Sequence, residues 1–285
     1  MKAAVIEKHG AAPVFGDFAE PPPREGCVTI DVDTAGLGGW DVLGAYRLAV
    51  EYPCVLRGEG VGRAEDGRRV YFGERSVAPW GGWAERTIVP AAEVWDVPDD
   101  VDDKTAITMA IAGTGALIPL EAAAIKPGES VLVLGATGTL GQLALQFARI
   151  LGAGRVAAAS RNSEALARLQ ERGIADATVR VGTDDDVAAL KSDAGDGYDV
   201  VLDLVCGAPM VAALKATRWG ARIVTVGTGQ RPADDRERVW RRLLDMARTH
   251  AITVDYVDYD LPQIAEAWAA QKAGPHAKIT GRIRS

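Results

Sequence analysis

The order of apolar and polar residues divides the chain into a first part rich in short strands and a second part in which strands and helices alternate. In the first hundred residues, short alternating runs are separated by turn signals such as Pro21-Pro22-Pro23 and Gly81-Gly82. Alternation of this kind is typical of β-strands with one buried face. The predicted strands of this part cover residues 3–7, 27–34, 60–64, 69–72 and 84–89.

From about Thr105 onwards, an alanine-rich helix is followed by strands that alternate with amphipathic helices. Strands are predicted at residues 131–135, 155–159, 178–181, 200–204, 221–226 and 252–257. Helices are predicted at residues 139–151, 164–171, 185–192, 209–215 and 238–248, and residues 262–285 predict one helix and a final strand at 278–283. Six strands with intervening helices predict an α/β fold with a doubly wound parallel sheet.

The most informative segment is the apolar run 131–134, which is followed by Gly135, Gly138 and Gly141. A strand that turns through glycine into a helix directs backbone N–H groups and the positive end of the helix dipole at one point. Gly138 would leave that backbone uncovered, and Gly141 would let the helix pack closely on the strand. We therefore predict a dinucleotide-binding turn; the alternative is an ordinary strand-to-helix turn.

The end of the second strand of this unit indicates which dinucleotide binds. A unit that prefers NAD usually has Asp or Glu there, which bonds the ribose 2′-hydroxyl. This chain has Ser160-Arg161-Asn162, where Arg161 would pair with a 2′-phosphate and Ser160 could donate one more hydrogen bond. We predict NADPH (NADP+) over NADH; the alternative is that Arg161 is a solvated loop residue. Asn162 or Ser163 is predicted to cap the next helix.

Composition and charge limit the classes of partner. The 285 residues carry a formal net charge of −7, so no basic field exists to hold a nucleic acid or an anionic membrane surface. Cys27, Cys54 and Cys206 are widely scattered, which favours a reducing compartment over a disulfide framework. The first residues contain too short an apolar run for a signal peptide and no run approaches a membrane span, so a cytoplasmic protein is expected.

A series of short motifs runs along nearly the whole chain. They are Ala35-Gly-Leu-Gly-Gly-Trp-Asp41, Pro53-Cys-Val-Leu-Arg-Gly-Glu-Gly-Val-Gly62, Gly67-Arg-Arg-Val-Tyr-Phe72, Gly82-Trp-Ala-Glu85, Lys126-Pro-Gly-Glu129, the glycine turn, Tyr198-Asp-Val-Val-Leu-Asp203, Gly220-Ala-Arg-Ile-Val-Thr-Val-Gly227 and His276-Ala-Lys-Ile279. In this order they resemble the medium-chain dehydrogenase/reductase superfamily, specifically its zinc-independent quinone oxidoreductase-like branch.

The resemblance implies a Rossmann domain at residues 110–257 and a GroES-like β-barrel domain formed by residues 1–109 and 258–285, with the active site in the cleft. It also implies a homodimer joined through the edges of the Rossmann sheets, for which the predicted strand 252–257 is the candidate. The chain looks shorter than most relatives between Phe72 and Gly81.

Metal binding is not expected. Zinc alcohol dehydrogenases of the superfamily place a cysteine where this chain has Gly38 and a histidine where it has Gly58. A catalytic zinc needs three protein ligands, and Glu59 alone cannot hold one. Glu59 is therefore expected to be a turn residue that bonds the backbone or an arginine such as Arg57.

The resemblance also implies which residues contact the cofactor and the substrate. The cofactor-binding residues would be Thr114 at a helix start, Gly135, Thr137, Gly138, Thr139, Leu140, Ser160, Arg161, Val205, Val226, Gly227 and Lys278. Tyr46 would be the catalytic proton donor or a structural tyrosine of the barrel rim, Lys278 could instead be a solvated strand residue, and Asp203 is expected to be structural. Trp40, Trp80 and Trp240 could line a flat substrate pocket, although core packing is the usual fate of tryptophan.

The predicted function is NADPH-dependent transfer of a hydride, without zinc, to a small-molecule quinone or activated alkene such as an enone. One alternative is an enoyl reductase that acts on a pathway thioester. The other is a cofactor-binding redox sensor with little turnover.

Overall fold

The computed structural model describes residues 1–43, 51–226 and 233–284, which form two compact units. One unit comprises Met1–Ile111, Arg231–Thr249 and Asp255–Ser285, and the other comprises Ala112–Gln230 and His250–Val254. The helix predicted at residues 238–248 therefore lies in the first unit, whereas the domain bounds expected from the sequence assign it to the Rossmann domain.

The first unit consists mainly of antiparallel strands. It begins with β1 (Lys2–Ile6), β2 (Val14–Asp17), β3 (Cys27–Leu37), α1 (Gly39–Leu43), β4 (Cys54–Val55), β5 (Glu59–Ala64), β6 (Arg69–Phe72), β7 (Arg86–Pro90), β8 (Val94–Asp96) and the start of α2 (Asp103–Ala123). Strands β2, β1 and β4 form one sheet, and further strands of the unit form a second sheet around β3 and β5. The strands predicted for this part match observed strands to within a few residues.

The second unit contains one parallel sheet with helices between its strands. Its elements are β9 (Ser130–Leu134), α3 (Thr139–Ile150), β10 (Arg155–Ser160), α4 (Ser163–Glu171), β11 (Ala177–Arg180), α5 (Asp186–Ala194), β12 (Tyr198–Asp203), α6 (Ala208–Leu214) and β13 (Thr217–Thr225). The strand order is β11-β10-β9-β12-β13. The chain moves outward from β9 on one side and then crosses to β12 on the other, which creates the switch point where such sheets bind ligands. The doubly wound α/β fold is confirmed.

The last part of the chain returns to the first unit with α7 (Ala233–Thr249), β14 (Tyr256–Asp260), α8 (Ile264–Ala273) and β15 (Lys278–Arg282). The second sheet of that unit has the order β14-β15-β3-β5-β6-β8, and β7 also pairs with β3.

The prediction of a sixth parallel strand at residues 252–257 is wrong. Strand β14 starts only at Tyr256 and pairs in parallel with β15, from Tyr256 opposite Lys278 to Asp260 opposite Arg282. Alternation indicates a strand without indicating which sheet it joins. The described edges of the Rossmann sheet are β11 and β13, and the homodimer stays a prediction.

Helix α2 corrects the expectation that no apolar run in the chain approaches the length of a membrane span. It is 21 residues long with a hydropathy of 1.5 over its most apolar stretch, so by length and composition alone it could cross a membrane. In the protein 56% of that stretch is buried, and core helices of globular proteins commonly have this composition. The helix is therefore weak evidence for a membrane segment.

Close packing around Trp83 fixes the interior of the first unit. This side chain is fully buried, and its ring nitrogen donates a 3.1 Å hydrogen bond to the Gly36 carbonyl. A Cβ atom on Gly281 would lie only 2.4 Å from the Trp83 ring. Strand β15 can therefore lie against the indole only because residue 281 has no side chain.

We expect Gly281→Ala to destabilise the protein by about 1–3 kcal/mol, because the added methyl overpacks the Trp83 ring. Gly16→Ala is the matched control: Gly16 also lies in a strand, but an added Cβ would meet nothing within 4 Å. Urea denaturation followed by circular dichroism measures both variants. Equal free energies of unfolding for the two variants would contradict the proposed packing constraint.

Candidate dinucleotide site and buried charged cluster

The predicted strand–turn–helix is present between β9 and α3. Gly135 has a φ of +80°, and Gly138 is the N-cap of α3 without any side chain to cap the helix. The first backbone bond at the helix start runs from the Gln142 amide to the Gly138 carbonyl, 2.9 Å long. The amides of Thr139 and Leu140 therefore precede the helical hydrogen-bond pattern, which is the usual arrangement of an anion-binding helix start.

The glycines of the turn have different roles. A Cβ on Gly141 would lie 2.5 Å from the Gly135 carbonyl oxygen, so Gly141 allows the helix to approach the turn. A Cβ on Gly138 would meet no protein atom closer than 3.8 Å. The protein therefore tolerates a side chain at position 138, and the space that it would enter is open to a ligand.

Hydrogen bonds connect the turn to the end of β10. The hydroxyls of Thr137 and Ser160 are 2.8 Å apart and buried. The side-chain amide of Gln142 donates to the Thr137 carbonyl at 3.0 Å. Either hydroxyl can be the donor of the Thr137–Ser160 bond, so donation from Ser160 to a 2′-phosphate stays a prediction. These bonds hold the turn in a fixed position relative to Arg161, the residue after β10.

Arg161 is exposed at the carboxyl end of β10. Its Cγ and Cδ atoms pass over Gly182, where a Cβ would lie 2.9 and 3.1 Å from them. No residue in the described ranges forms a hydrogen bond or ion pair with its guanidinium. Asn162 caps α4 by accepting the Ala165 amide at 2.9 Å, as predicted. Arg161 is thus a positioned cation available to an anion.

Other strand ends lie at the same edge of the sheet. A Cβ on Gly135 would be 2.8 Å from the Val205 side chain, and Val205 is half exposed. Val226 donates its amide to the Asp203 carbonyl at 2.9 Å. The Asp203 carboxylate accepts the amides of Val205 and Cys206, so its structural role is confirmed.

Of three further predicted site residues, Thr114 lies elsewhere than expected, and Tyr46 and Gly227 lie outside the described residues. Thr114 is half buried in the middle of α2, whereas a helix start was expected. Its neighbour Gly115 lies against Leu140, since a Cβ there would be 2.9 Å from the leucine side chain.

The first unit contains a buried ion pair that the sequence analysis missed. Lys278 Nζ lies 2.7 Å from Glu59 Oε1, and each side chain is only 4% exposed. The Tyr71 hydroxyl donates to Glu59 Oε2 at 2.8 Å. Gly36 makes room for the pair, because a Cβ there would be 3.2 Å from Lys278 Nζ. Glu59 is therefore not a turn residue bonded to Arg57.

The position of Lys278 also departs from both expectations for it. Its ammonium is neither solvated nor free for a nucleotide, because Glu59 neutralises it inside the unit. Lys278 begins β15 and Glu59 begins β5, and each strand also carries an arginine, Arg282 or Arg63, which is exposed where Lys278 and Glu59 are buried. The sequence alone did not distinguish the buried charge of each strand from the exposed one.

Trp240 belongs to the core and not to a substrate pocket, so that prediction is wrong. It is fully buried, and its ring nitrogen donates to the Ala106 carbonyl at 2.9 Å. Tyr71 stacks on Trp95 and Trp240 with ring centroids 5.4 and 5.3 Å away. Burial, reinforced by the Glu59 carboxylate, raises the pKa of Tyr71 well above its ordinary value, so its hydroxyl keeps its proton.

The other two tryptophans proposed for a substrate pocket have accessible surface. Trp40 is 43% exposed, and Trp80 is partly exposed with its ring nitrogen bonded to the Ala19 carbonyl at 3.0 Å. Their contribution to a pocket stays a prediction.

The charges of Lys278 and Glu59 also act electrostatically on two further carboxyl groups, those of Asp41 and Glu74. Asp41 is almost completely buried, and burial raises its pKa to about 6. Burial and the neighbouring Asp41 raise the pKa of Glu74 to about 8.

The residues at the zinc-ligand positions do not fit a zinc ion. Gly58 has a φ of +60°, and a Cβ there would lie 2.6 Å from the Trp83 ring. Gly38 provides only backbone atoms. In the described part of the chain no group of three or more His, Cys, Asp or Glu side chains is arranged to hold a metal ion.

We expect Lys278→Met to cost about 3–5 kcal/mol of stability, because it leaves the Glu59 carboxylate buried without a counter-charge. Adding Glu59→Gln to this variant should restore part of the loss, since the buried charge is then removed. Chemical denaturation of the two single variants and the double variant gives the coupling free energy. Additive losses would show that the two charges do not depend on each other.

Comparison with known proteins agrees with this geometry. Residues 139–270 match the family model described as zinc-binding dehydrogenase. The chain is 29% identical over 227 residues to a mycocerosic acid synthase-like polyketide synthase of Mycobacterium tuberculosis, covering 75% of this chain and 10% of that protein. It is 31% identical over 214 residues to a quinone oxidoreductase-like protein 2 homolog of Nematostella vectensis, covering 70% of this chain and 58% of that protein.

Among solved structures, the quinone oxidoreductase of Thermus thermophilus, also solved in complex with NADPH, superposes with a TM-score of 0.75 at 28% identity, covering 99% of this chain and 100% of that one. The chain spans only a small part of the polyketide synthase and little more than half of the curated quinone oxidoreductase-like relative. The matched family model, these relatives and the Rossmann strand order lead to one conclusion: the chain belongs to the medium-chain dehydrogenase/reductase superfamily.

Proposed function

We propose that this protein is an NADPH-dependent oxidoreductase that transfers a hydride, without zinc, to a quinone or an activated alkene such as an enone. The observation that carries the proposal is the uncapped start of α3 together with the Arg161 cation, which forms no ion pair with any residue that the structure describes. The helix start suits a pyrophosphate, and the arginine suits a 2′-phosphate. The name of the Thermus thermophilus relative, a quinone oxidoreductase solved with NADPH, supports both the cofactor and the quinone acceptor of this proposal.

The residues of the second unit fit the cofactor. The amides of Thr139 and Leu140 would bind the pyrophosphate, since Gly138 has no side chain to cover them. The Arg161 guanidinium would pair with the 2′-phosphate, which a carboxylate at this position would repel. When bound, the nicotinamide supplies the hydride. Val205 and Val226, at the same edge of the sheet, would provide apolar contacts to the cofactor.

The acceptor class follows from the residues at positions 38 and 58. Neither glycine provides a side-chain ligand, and Trp83 occupies the space that a side chain at position 58 would need. Alcohol oxidation in zinc enzymes depends on a Lewis acid that polarises the oxygen. A quinone or enone is already electron-poor, so its reduction requires positioning and a proton source.

An enoyl reductase that acts on a pathway thioester is the second candidate. The match to a polyketide synthase over three quarters of this chain favours it. Both candidates use the same cofactor site and differ in the acceptor.

The proposal is tested by following NADPH oxidation with quinones, enones and enoyl thioesters in turn, before and after treatment with a zinc chelator. We expect turnover with a quinone or enone that the chelator leaves unchanged. Turnover with thioesters alone would select the second candidate. Tight NADPH binding without turnover would select a redox sensor, and activity that needs added zinc would refute the zinc-free reaction.

We expect Arg161→Ala to raise the dissociation constant for NADPH by about ten- to a hundredfold and to leave that for NADH unchanged. The lost charge-assisted bonds to the 2′-phosphate account for this change, roughly 1.5–3 kcal/mol. Arg168→Ala, on the exposed face of α4, is the matched control and should bind both cofactors as the parent does. Calorimetric titration measures each affinity, and equal parent affinities for the two cofactors would contradict the assignment.

A further inference from the structure

Arg180 is the last residue of β11, and like Arg161 it is exposed. In the parallel pairing of β10 with β11, Arg180 pairs with Ser160, the residue before Arg161. The pairing continues beyond the strand, because the Val181 amide donates to the Ser160 carbonyl at 3.0 Å. Neighbouring strands lie about 5 Å apart, so the backbones that carry the two arginines are adjacent at the carboxyl edge of the parallel sheet.

Side-chain contacts and strand alternation place both arginines beside the segment that joins β10 to α4. The Thr178 hydroxyl donates to Gln170 of α4 at 3.3 Å, and Arg180, two residues later in the strand, points to the same face. Arg161 begins the joining segment, and its Cγ and Cδ atoms would lie 2.9 and 3.1 Å from a Cβ on Gly182. Because Gly182 follows Arg180 by two residues, the Arg161 side chain extends towards the strand that carries Arg180.

The acidic residues of the loop after β11 do not neutralise either arginine. Asp186 is buried, and its carboxylate accepts two backbone amides of that loop at 2.9 and 2.8 Å. Asp184 and Asp185 are exposed, and neither forms an ion pair with a residue of the described ranges. Across the part of the chain that the structure describes, no hydrogen bond or ion pair reaches either guanidinium.

This arrangement differs from that of other arginines in the second unit. The Arg149 guanidinium lies 2.8 Å from the Asp176 carboxylate, and the Arg155 guanidinium lies 2.6 Å from the Asp193 carboxylate. Two unpaired cations on adjacent strands repel each other, so an anion that contacts both removes an unfavourable interaction. A phosphate monoester carries about −1.5 to −2 charges at pH 7, and one guanidinium neutralises only part of that charge.

We propose that Arg180 is a specificity-determining residue for NADPH, and that the Arg161 and Arg180 guanidiniums bind its 2′-phosphate together, each from one of two adjacent strands. The inference rests on the proposed cofactor and adds a second cation to its site. The ligand chemistry is a phosphate monoester held by charge-assisted hydrogen bonds. NADH has a hydroxyl in place of this phosphate and leaves both charges unpaired, which is the physical basis of the expected preference.

Calorimetric titration with adenosine 2′,5′-bisphosphate and with adenosine 5′-monophosphate tests the inference. Neither probe carries a nicotinamide, so their binding does not depend on turnover. We expect the parent to bind the bisphosphate more tightly. Arg180→Ala should raise the dissociation constant for the bisphosphate about tenfold, because the charge-assisted bonds of one guanidinium are lost, and should leave that for the monophosphate unchanged. Combining Arg180→Ala with Arg161→Ala should abolish the preference for the bisphosphate.

Arg168→Ala is the matched control, because Arg168 is an exposed arginine of α4. This variant removes the same charge from the same unit and should bind both probes as the parent does. Arg180→Lys should lose less affinity than Arg180→Ala, since it keeps the charge and loses only the planar fork of donors. Thermal unfolding checks that each variant is folded, and Arg180→Gln takes the place of Arg180→Ala if the alanine variant does not fold.

The outcomes separate this inference from the proposed function. A parent that prefers the bisphosphate while Arg180→Ala keeps the same affinity overturns this inference alone and leaves the proposed cofactor in place. A parent that binds both probes equally overturns the inference together with the NADPH assignment. Equal losses in Arg180→Ala and Arg168→Ala would reveal a general effect of net charge and would also overturn it. So would inorganic phosphate that binds the parent as tightly as the bisphosphate, because the site would then take free phosphate rather than a nucleotide.

Discussion

Lys278 and Glu59 lie 219 residues apart in the chain, and their ion pair connects β15 and β5 across the intervening strand β3. Both charges are out of contact with water, so each would cost several kcal/mol without the other. The pair therefore makes the first unit depend on contact between its N-terminal segment and the returning C-terminal segment. Gly36 on β3 is part of the same constraint, because a side chain there would meet the lysine ammonium.

Positions without a side chain determine what each unit can bind. In the second unit, Gly141 lets α3 approach the turn, and Gly138 leaves open space over uncapped amides. In the first unit, Gly58 leaves no open space, because the Trp83 ring already occupies the space beside it. Glycine thus leaves open space over the proposed anion site in one unit and is required by close packing in the other.

The sequence predicts local features well and long-range pairing poorly. The glycine turn, the Asn162 cap and the position of Arg161 depend on neighbours a few residues away, and periodicity is enough to find them. The partner of Glu59 could not be predicted, because a charged residue in a strand does not indicate which distant strand supplies its counter-charge. Trp240 was misplaced for a related reason: its burial depends on stacking with Tyr71, which only the tertiary structure creates.

The charge balance of the first unit connects these observations. The one fully buried ammonium is committed to Glu59, and the glycines at positions 38 and 58 provide no side chain that could bring another cation to Asp41. A carboxylate removed from water must then gain a counter-charge or a proton. Arg57 is only half buried and acts on Glu74, so it does not replace a buried partner for Asp41. Burial accordingly raises the pKa of Asp41 to about 6, towards the neutral form that a buried carboxyl favours when no counter-charge is close.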